Sequence, residues 1–173
     1  MMVAPKNFRD EELFKPKEVL ENTGTQITIA SKDVTEALGM LGGKVKVDKN
    51  LSEVNVDEYD AVIFIGGSGS AIYFNDSLAL ELTKKAYENN KFIGAICIAP
   101  SILANAGILQ GKKATAFSSE AENLRTKGAR YTGENVTVDG KIITASGPQA
   151  AKEFGEELVK GLKSLNHPSH SLN

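Results

Sequence analysis

Short runs of consecutive apolar residues are the clearest pattern along this chain. Residues 61–65 (AVIFI) and 92–96 (FIGAI) contain no polar side chain, which is typical of strands buried on both faces. Residues 26–30 (QITIA) and 113–117 (KATAF) predict two further strands, and residues 1–4 (MMVA) predict a very short opening strand. Buried strands of this kind predict a parallel sheet that is covered on both faces.

Helical patterns alternate with these strands. In residues 77–89, apolar side chains recur every four positions, which predicts a helix with one buried face. An earlier helix is predicted from Asp10 as the N-cap to Gly24 as the stop signal, with acidic residues in its first turn and a bend at Pro16. Further helices are predicted at residues 99–106, 120–127 and 147–162.

Two segments carry hairpin patterns. Residues 44–47 alternate between lysine and valine, which predicts one arm of a half-exposed hairpin. Residues 136–138 and 142–144 flank Asp139 and Gly140, a pair that favours a tight turn between antiparallel strands.

The order of these elements predicts the fold class. Strands alternating with helices are typical of an α/β sandwich, so we expect a mostly parallel central sheet with helices on both faces. We expect residues 1–163 to form one domain and residues 164–173 to form a polar C-terminal tail.

The amino-acid composition excludes several classes of function. The 173 residues are 41% apolar and 24% charged with a net charge of −2, which argues against a nucleic-acid or anionic-membrane partner. No apolar run approaches the ~20 residues of a membrane helix, and no signal peptide is recognisable. One cysteine excludes an internal disulfide, and two histidines argue against structural zinc. We therefore expect a cytoplasmic protein without a metal or cofactor.

The single cysteine, Cys97, lies between the strand at 92–96 and the helix at 99–106. A side chain at such a turn projects away from the backbone and lies near the positive end of the helix dipole. Both effects favour the thiolate, the reactive form of cysteine. Alternatively, Cys97 is a small buried hydrophobic residue.

The glycine-rich segment 66–70 (GGSGS) follows another predicted strand. It lacks the Lys-Ser/Thr ending of a phosphate-binding loop and the third glycine of a dinucleotide fingerprint. An oxyanion hole fits better, because glycine lets a backbone N–H point at a reacting oxygen. The alternative is a simple turn.

Glu12 lies in the first turn of the first predicted helix. Such a glutamate usually stabilises the helix dipole and does nothing more. If the first loop lies against Cys97, however, a buried carboxyl there could stay protonated or transfer a proton.

These residues resemble the ThiJ/PfpI superfamily over residues 1–162. The matching segments are 8–12 (FRDEE), 60–67 (DAVIFIGG), 95–100 (AICIAP), 103–109 (LANAGIL), 111–115 (GKKAT), 128–131 (GARY), 138–144 (VDGKIIT) and 146–148 (SGP).

The resemblance implies a flavodoxin-like three-layer sandwich that forms homodimers, or hexamers in the protease branch. It also implies that Cys97 is the nucleophile on the strand-to-helix turn and that Glu12 is the carboxyl bonded to it. Gly67 and Ile98 would supply the backbone N–H groups of the oxyanion hole. Gly66, Tyr73 and Pro148 are candidates for the surrounding pocket.

The chain departs from the family at its histidines. The protease-like branch has histidine after the cysteine, where this chain has Ile98, and the deglycase branch has one near residues 115–118 (TAFS). The only histidines here are His167 and His170, in the predicted tail, for which we expect no metal or catalytic role. Peptide hydrolysis needs a Cys-His pair, so a cysteine peptidase is disfavoured.

Two classes of function remain, besides an inert relative that keeps only the fold. The first is an enzyme acting on small reactive carbonyls such as methylglyoxal, in the manner of a glyoxalase or deglycase, with Cys97 as nucleophile and Glu12 as proton carrier. The second is a non-enzymatic stress protein, an oxidation sensor or chaperone, in which an oxidant converts Cys97 to sulfenic or sulfinic acid. Both classes predict a low pKa for the Cys97 thiol.

Overall fold

A computed structural model describes residues 1–166 of the chain. This part of the chain contains five α-helices: α1 (Asp10–Glu21), α2 (Ser77–Glu88), α3 (Pro100–Asn105), α4 (Ala121–Thr126) and α5 (Ala151–Asn166). None of these helices is both long enough and apolar enough to cross a membrane.

Eleven short strands lie within the same residues. They are β1 (Lys6–Phe8), β2 (Ala30–Ser31), β3 (Glu36–Gly39), β4 (Lys44–Lys46), β5 (Lys49–Asn50), β6 (Ala61–Phe64), β7 (Phe92–Ile96), β8 (Lys113–Ala114), β9 (Arg130–Tyr131), β10 (Val136–Asp139) and β11 (Ile142–Ala145).

The central sheet has the order β10-β11-β7-β6, with β11, β7 and β6 parallel and only β10 antiparallel. Met2 extends this sheet, because it bridges Phe64 in β6 and Ala30 in β2, and β2 pairs in parallel with β5. Taking Met2, β2, β6, β7 and β11 as successive strands, the order is 2-1-3-4-5, which is flavodoxin-like. The predicted mostly parallel sheet is therefore confirmed.

Two apolar cores lie on opposite faces of this sheet. One contains side chains from α1 and α5, including Leu13, Leu20, Phe154 and Leu158. The other contains side chains from α2, α3 and α4, including Leu82, Ile102, Leu103 and Leu124. The three-layer α/β sandwich that the sequence predicts is confirmed.

Both predicted hairpins are present. β10 and β11 pair around Asp139 and Gly140, with Val136 opposite Ala145. β3 and β4 also pair antiparallel, and this hairpin joins β1 in a separate three-stranded sheet. Asp10 holds its turn, since one carboxylate oxygen accepts a 2.8 Å hydrogen bond from the Leu41 N–H.

Three predicted strands are shorter in the structure than expected. The opening strand is reduced to the bridges at Met2, and residues 26–29 precede β2 without joining its ladder. β8 ends at Ala114, where its last backbone bond to the β9 side is the one that the Ala114 carbonyl accepts from the Thr132 N–H. On the opposite side of the strand, the Thr115 N–H donates to the side-chain oxygen of Thr144.

Two helix boundaries also differ. Arg9, rather than Asp10, is the N-cap of α1, and Asp10 is its first residue. α5 continues to Asn166, so it includes the first residues of the predicted tail. His167 and His170 lie outside the described residues.

Gly155 allows α5 to pack closely against α1, the helix that carries Glu12. A Cβ atom at Gly155 would lie 2.9 Å from the Pro16 α-carbon and 3.2 Å from the Val19 β-carbon. The first distance is too short for non-bonded carbons, so any side chain here would push α1 and α5 apart.

We therefore expect Gly155→Ala to destabilise the protein. Overpacking typically costs about 1–3 kcal/mol, which exceeds the roughly 1 kcal/mol that alanine gains in helix propensity. Urea unfolding of this variant is best compared with that of Glu156→Ala, at the exposed neighbouring position of α5. Equal or greater stability of Gly155→Ala would show that close helix contact is not required.

Candidate active site

Cys97 lies on the sharp turn between β7 and α3. Its φ angle is +65°, a conformation that few non-glycine residues adopt and that costs of order 1 kcal/mol. Two backbone hydrogen bonds hold this geometry: the Cys97 N–H donates to Ala145 O at 2.9 Å, and Phe117 N–H donates to Cys97 O at 2.8 Å. The predicted strand-to-helix turn at Cys97 is thus confirmed, and the side chain is half-buried.

Glu12 reaches the same point from the first turn of α1. The Arg9 N–H donates to Gly66 O at 3.0 Å and ties the start of α1 to the glycine loop. A Cβ atom at Gly66 would collide with Glu12 Oε1 and would lie 2.7 Å from Cys97 Cβ. Only glycine fits at this position, and its missing side chain lets the carboxyl and the thiol meet.

The Glu12 carboxyl is fully buried. Within residues 1–166, neither of its oxygens has a hydrogen bond of good geometry. Burial raises the pKa of Glu12 to about 7, because the charged form loses its water. The Cys97 thiol, the positive charge of Arg9 and the Gly66 N–H lower the pKa by smaller amounts.

The Cys97 thiol differs from the sequence prediction. Burial, followed by the negative charge of Glu12 and its contact with the thiol, raises the pKa of Cys97 to about 12. The N–H groups of Gly67 and Ile98 act in the opposite direction but more weakly. The expectation of a low thiol pKa was wrong, because burial of the thiol and the neighbouring Glu12 carboxylate together outweigh the effect of a turn near a helix N-terminus.

The backbone N–H groups of Gly67 and Ile98 favour the charged form of the Cys97 sulfur and lower its pKa. Gly67 has a φ angle of +99°, and a Cβ atom there would clash with the backbone of residues 7–9. The loop therefore depends on glycine to bring this amide to Cys97. Two converging N–H donors can stabilise negative charge on the sulfur or on an oxygen bonded next to it.

The thiol and the carboxyl form a coupled pair. Both pKa values are raised, so near neutral pH the pair retains its thiol proton while the carboxyl is about half ionised. An ionised Glu12 can accept the thiol proton when the sulfur attacks an electrophile. This arrangement can therefore supply a nucleophile and a proton carrier from two side chains.

The three predicted pocket residues lie in different places. Gly66 is in the contact between Glu12 and Cys97. Pro148 is half-buried after β11, the strand whose Ala145 accepts from the Cys97 amide. Tyr73 does not line the site: it is 1% exposed in the core, and its hydroxyl donates to Val3 O at 2.8 Å. Its position three residues after the glycine-rich segment 66–70 did not reveal that burial.

Arg9 is the site residue to which the sequence analysis gave no role. Its backbone contacts the glycine loop, and its guanidinium influences the pKa of Glu12. Its place within the segment 8–12, three residues before Glu12, is the one signal that could have identified it. As to metals, no three histidine, cysteine or acidic side chains converge within residues 1–166.

A thiol on a strand-to-helix turn, opposed by a buried glutamate in a flavodoxin-like sandwich, defines a class of cysteine-centred α/β proteins. The profile of the DJ-1/PfpI family matches residues 1–161, and the chain belongs to that family.

Relatives in sequence support this assignment. An uncharacterised protein of Methanocaldococcus jannaschii is 46% identical over 169 residues, covering 96% of this chain and 82% of the relative. Deglycase PfpI of Pyrococcus furiosus is 31% identical, covering 94% of this chain and 98% of the relative. A Bacillus subtilis protein named as a putative cysteine protease is 32% identical, covering 90% of this chain and 93% of the relative.

Solved structures agree with the fold. A ThiJ/PfpI domain protein from Brachyspira murdochii superposes with a TM-score of 0.92 and 36% identity, covering 94% of each chain. DJ-1beta of Drosophila melanogaster gives a TM-score of 0.83 with 26% identity, covering 95% of this chain and 92% of the other.

The buried carboxyl makes stability depend on pH. The pKa of Glu12 in the folded protein, about 7, lies above its ordinary value of 4.5. The folded state therefore holds this proton more tightly, and the free energy of unfolding falls as pH rises through this window, by roughly 3 kcal/mol from this group. Glu12→Gln removes the ionisation, so we expect its stability relative to wild type to rise between about pH 4.5 and pH 8.

Urea unfolding at both pH values measures this difference. Glu18→Gln, at an exposed position of the same helix, is the matched control and should follow wild type at each pH. A Glu12→Gln profile parallel to that of wild type would contradict a raised carboxyl pKa.

Proposed function

We propose that this protein is a cysteine-dependent enzyme for small reactive carbonyls, of which methylglyoxal is the simplest test substrate. The observation that most supports this proposal is the Glu12 carboxyl. It is fully buried against Cys97 and has no hydrogen bond of good geometry within residues 1–166. A merely structural glutamate would be bonded or exposed, since burying an unsatisfied carboxyl is costly. A carboxyl kept ready for proton transfer accounts for that cost.

The first step is addition of the thiol to the aldehyde carbon of methylglyoxal. A bond forms between sulfur and carbon, ionised Glu12 accepts the thiol proton, and the carbonyl oxygen takes the electron pair. The Gly67 and Ile98 amides are the donors available to that oxygen. Glu12 then returns the proton to the oxygen, and the product is a neutral hemithioacetal.

The second step moves a proton between neighbouring carbons. Glu12 removes the proton from the former aldehyde carbon and delivers one to the adjacent ketone carbon. The hydroxyl proton of the hemithioacetal passes to the former ketone oxygen, so the ketone becomes the hydroxyl of lactate and the former aldehyde carbon becomes the carbonyl of a thioester. Water then cleaves the thioester to give lactate and the free thiol. The sum is methylglyoxal plus water to lactate, with no oxidant or reductant consumed.

The names of several relatives support carbonyl chemistry. The relatives from Pyrococcus and Thermococcus are named deglycases, proteins that by this name act on glycated material. A peptidase is less well supported, since residues 1–166 contain no histidine to protonate a leaving amine. The homodimer or hexamer that the family resemblance implies stays a prediction.

Oxidation of Cys97 is the second candidate function. The half-exposed sulfur faces Glu12 and the amides of Gly67 and Ile98, groups that could bond to the oxygens of a sulfenic or sulfinic acid. Peroxide and aldehydes both react with the deprotonated sulfur, so the raised pKa of Cys97 counts equally against the two functions. We place the carbonyl enzyme first because moving a proton between carbons requires a carboxyl such as Glu12, whereas oxidation of the thiol does not.

Methylglyoxal consumption with lactate detection tests the proposal. We expect turnover by wild type, none by Cys97→Ser, and a loss of roughly 100-fold or more in Glu12→Gln, the usual size of a general acid–base contribution. Glu18→Gln should match wild type. If wild type is no faster than Cys97→Ser, the carbonyl enzyme is wrong, and the intact mass of Cys97 after mild peroxide then tests oxidation.

The pH dependence of kcat/KM tests the role of Glu12 separately. The carboxylate is the form that accepts the thiol proton, and the pKa of Glu12 is about 7, so kcat/KM should rise with pH through about 7 and then level off. Any residual activity of Glu12→Gln should lack this inflection. A wild-type profile flat from about pH 5 to pH 9 would exclude Glu12 as the base.

A further inference from the structure

Arg9 lies at the edge of the site with its guanidinium partly open to solvent. Its backbone N–H donates to Gly66 O, and Gly66 packs against both Cys97 and Glu12. Its side chain is 32% exposed, so a dissolved ligand can reach it. Arg9 is therefore a solvent-accessible cation whose backbone is bonded to the glycine loop of the site.

The guanidinium already binds one carboxylate. Arg9 Nε donates to one oxygen of Glu11 at 2.6 Å, and Nη2 donates to the other at 3.3 Å. This two-point geometry is the way arginine recognises carboxylates generally. Arginine has five N–H donors, so these two bonds leave three for another acceptor.

The pair with Glu11 can be exchanged for a ligand. Glu11 is 29% exposed, and ion pairs accessible to water contribute only about 0–1 kcal/mol. A carboxylate that is also attached to Cys97 would compete with Glu11 at high effective concentration. The backbone bond from Arg9 to Gly66, which packs against Glu12 and Cys97, keeps Arg9 at the edge of the site.

We propose that Arg9 is an anion-recognition residue and that the preferred substrates are small aldehydes carrying a carboxylate within a few bonds of the reacting carbon. This inference rests on the proposed function for the carbonyl chemistry and adds the charge of the substrate to it. In the adduct, sulfur is bonded to the former aldehyde carbon, the thiol proton has moved through Glu12 to the oxygen, and the carboxylate lies on Arg9.

The ratio of two alkylation rates tests the role of Arg9. Iodoacetate and iodoacetamide both form a bond from the Cys97 sulfur to carbon and release iodide, but only iodoacetate is an anion. Both react with the same thiolate, so the ratio of their rate constants does not depend on the thiol pKa. The chain has one cysteine, and intact mass follows its alkylation.

We expect Arg9→Gln to lower the iodoacetate-to-iodoacetamide ratio by roughly fivefold to tenfold, as suits the loss of one charge-assisted hydrogen bond. Arg9→Lys should keep part of the preference, and Glu11→Gln should raise it by freeing the guanidinium. Arg130→Gln, which removes an exposed arginine of β9, is the matched control for net charge and should leave the ratio unchanged.

Glyoxylate is the second probe. It carries an aldehyde next to a carboxylate, and its hemithioacetal goes no further because the neighbouring carbon is not a ketone. We expect glyoxylate to protect Cys97 from iodoacetamide at severalfold lower concentration in wild type than in Arg9→Gln. Equal ratios and equal protection in wild type and Arg9→Gln would overturn the inference.

The two hypotheses fail separately. A protein that does not consume methylglyoxal but keeps an Arg9-dependent alkylation ratio would lose the proposed function and retain an anion site. A protein that consumes methylglyoxal with a ratio indifferent to Arg9 would retain the enzyme and lose the anion-recognition residue.

Discussion

The structure of the site depends on a carboxyl group held out of water against a thiol. Glu12 is fully buried where α1 meets the turn at Cys97, and the contact exists only because Gly66 has no side chain. Because its pKa is raised from 4.5 to about 7, ionising Glu12 in the folded protein costs roughly 3 kcal/mol more than ionising it in water. The rest of the fold has to supply that energy, and α1 is the element through which it does.

α1 is fixed at its start and along its second half. Near its start, Arg9 donates to the glycine loop and Asp10 accepts from the Leu41 amide of the β3–β4 hairpin. Farther along, Pro16 lies against Gly155 of α5, and the two helices share one apolar core. A helix held at these points cannot rotate its first turn outward, so the carboxyl stays buried even when ionisation would favour water.

This arrangement changes how the thiol is expected to react. A cysteine at the N-terminus of a helix is usually expected to rest as a thiolate. Here the neighbouring carboxylate and burial keep the proton on sulfur, so nucleophilic attack has to be coupled to proton transfer. In the addition step that we propose, the Glu12 carboxylate takes the proton-accepting role that a histidine has in a Cys-His pair.

The sequence predicted the features of the fold and the site that depend on neighbouring residues, and it missed those that depend on residues distant in the chain. β7, the β10–β11 hairpin and the turn at Cys97 were predicted because apolar runs and turn residues are local patterns. Glu12 was a conditional candidate from its place in the first turn of the predicted helix, and the family resemblance added its contact with Cys97. Nothing within α1 itself shows that the carboxyl is buried. The burial of Tyr73 and the high pKa of Cys97 arise from contacts with segments that are distant in the chain. Tyr73 bonds to Val3, and Cys97 lies against Glu12.

Four consecutive residues at the start of α1 make both local and distant contacts. Arg9 and Glu11 pair at the surface, Asp10 holds a distant hairpin, and Glu12 enters the site. Successive helical residues point about 100° apart, so one turn can direct each side chain to a different neighbour. The same geometry couples the neighbours: a ligand that draws Arg9 away from Glu11 also alters the field at Glu12, and hence the readiness of the carboxyl to accept the thiol proton.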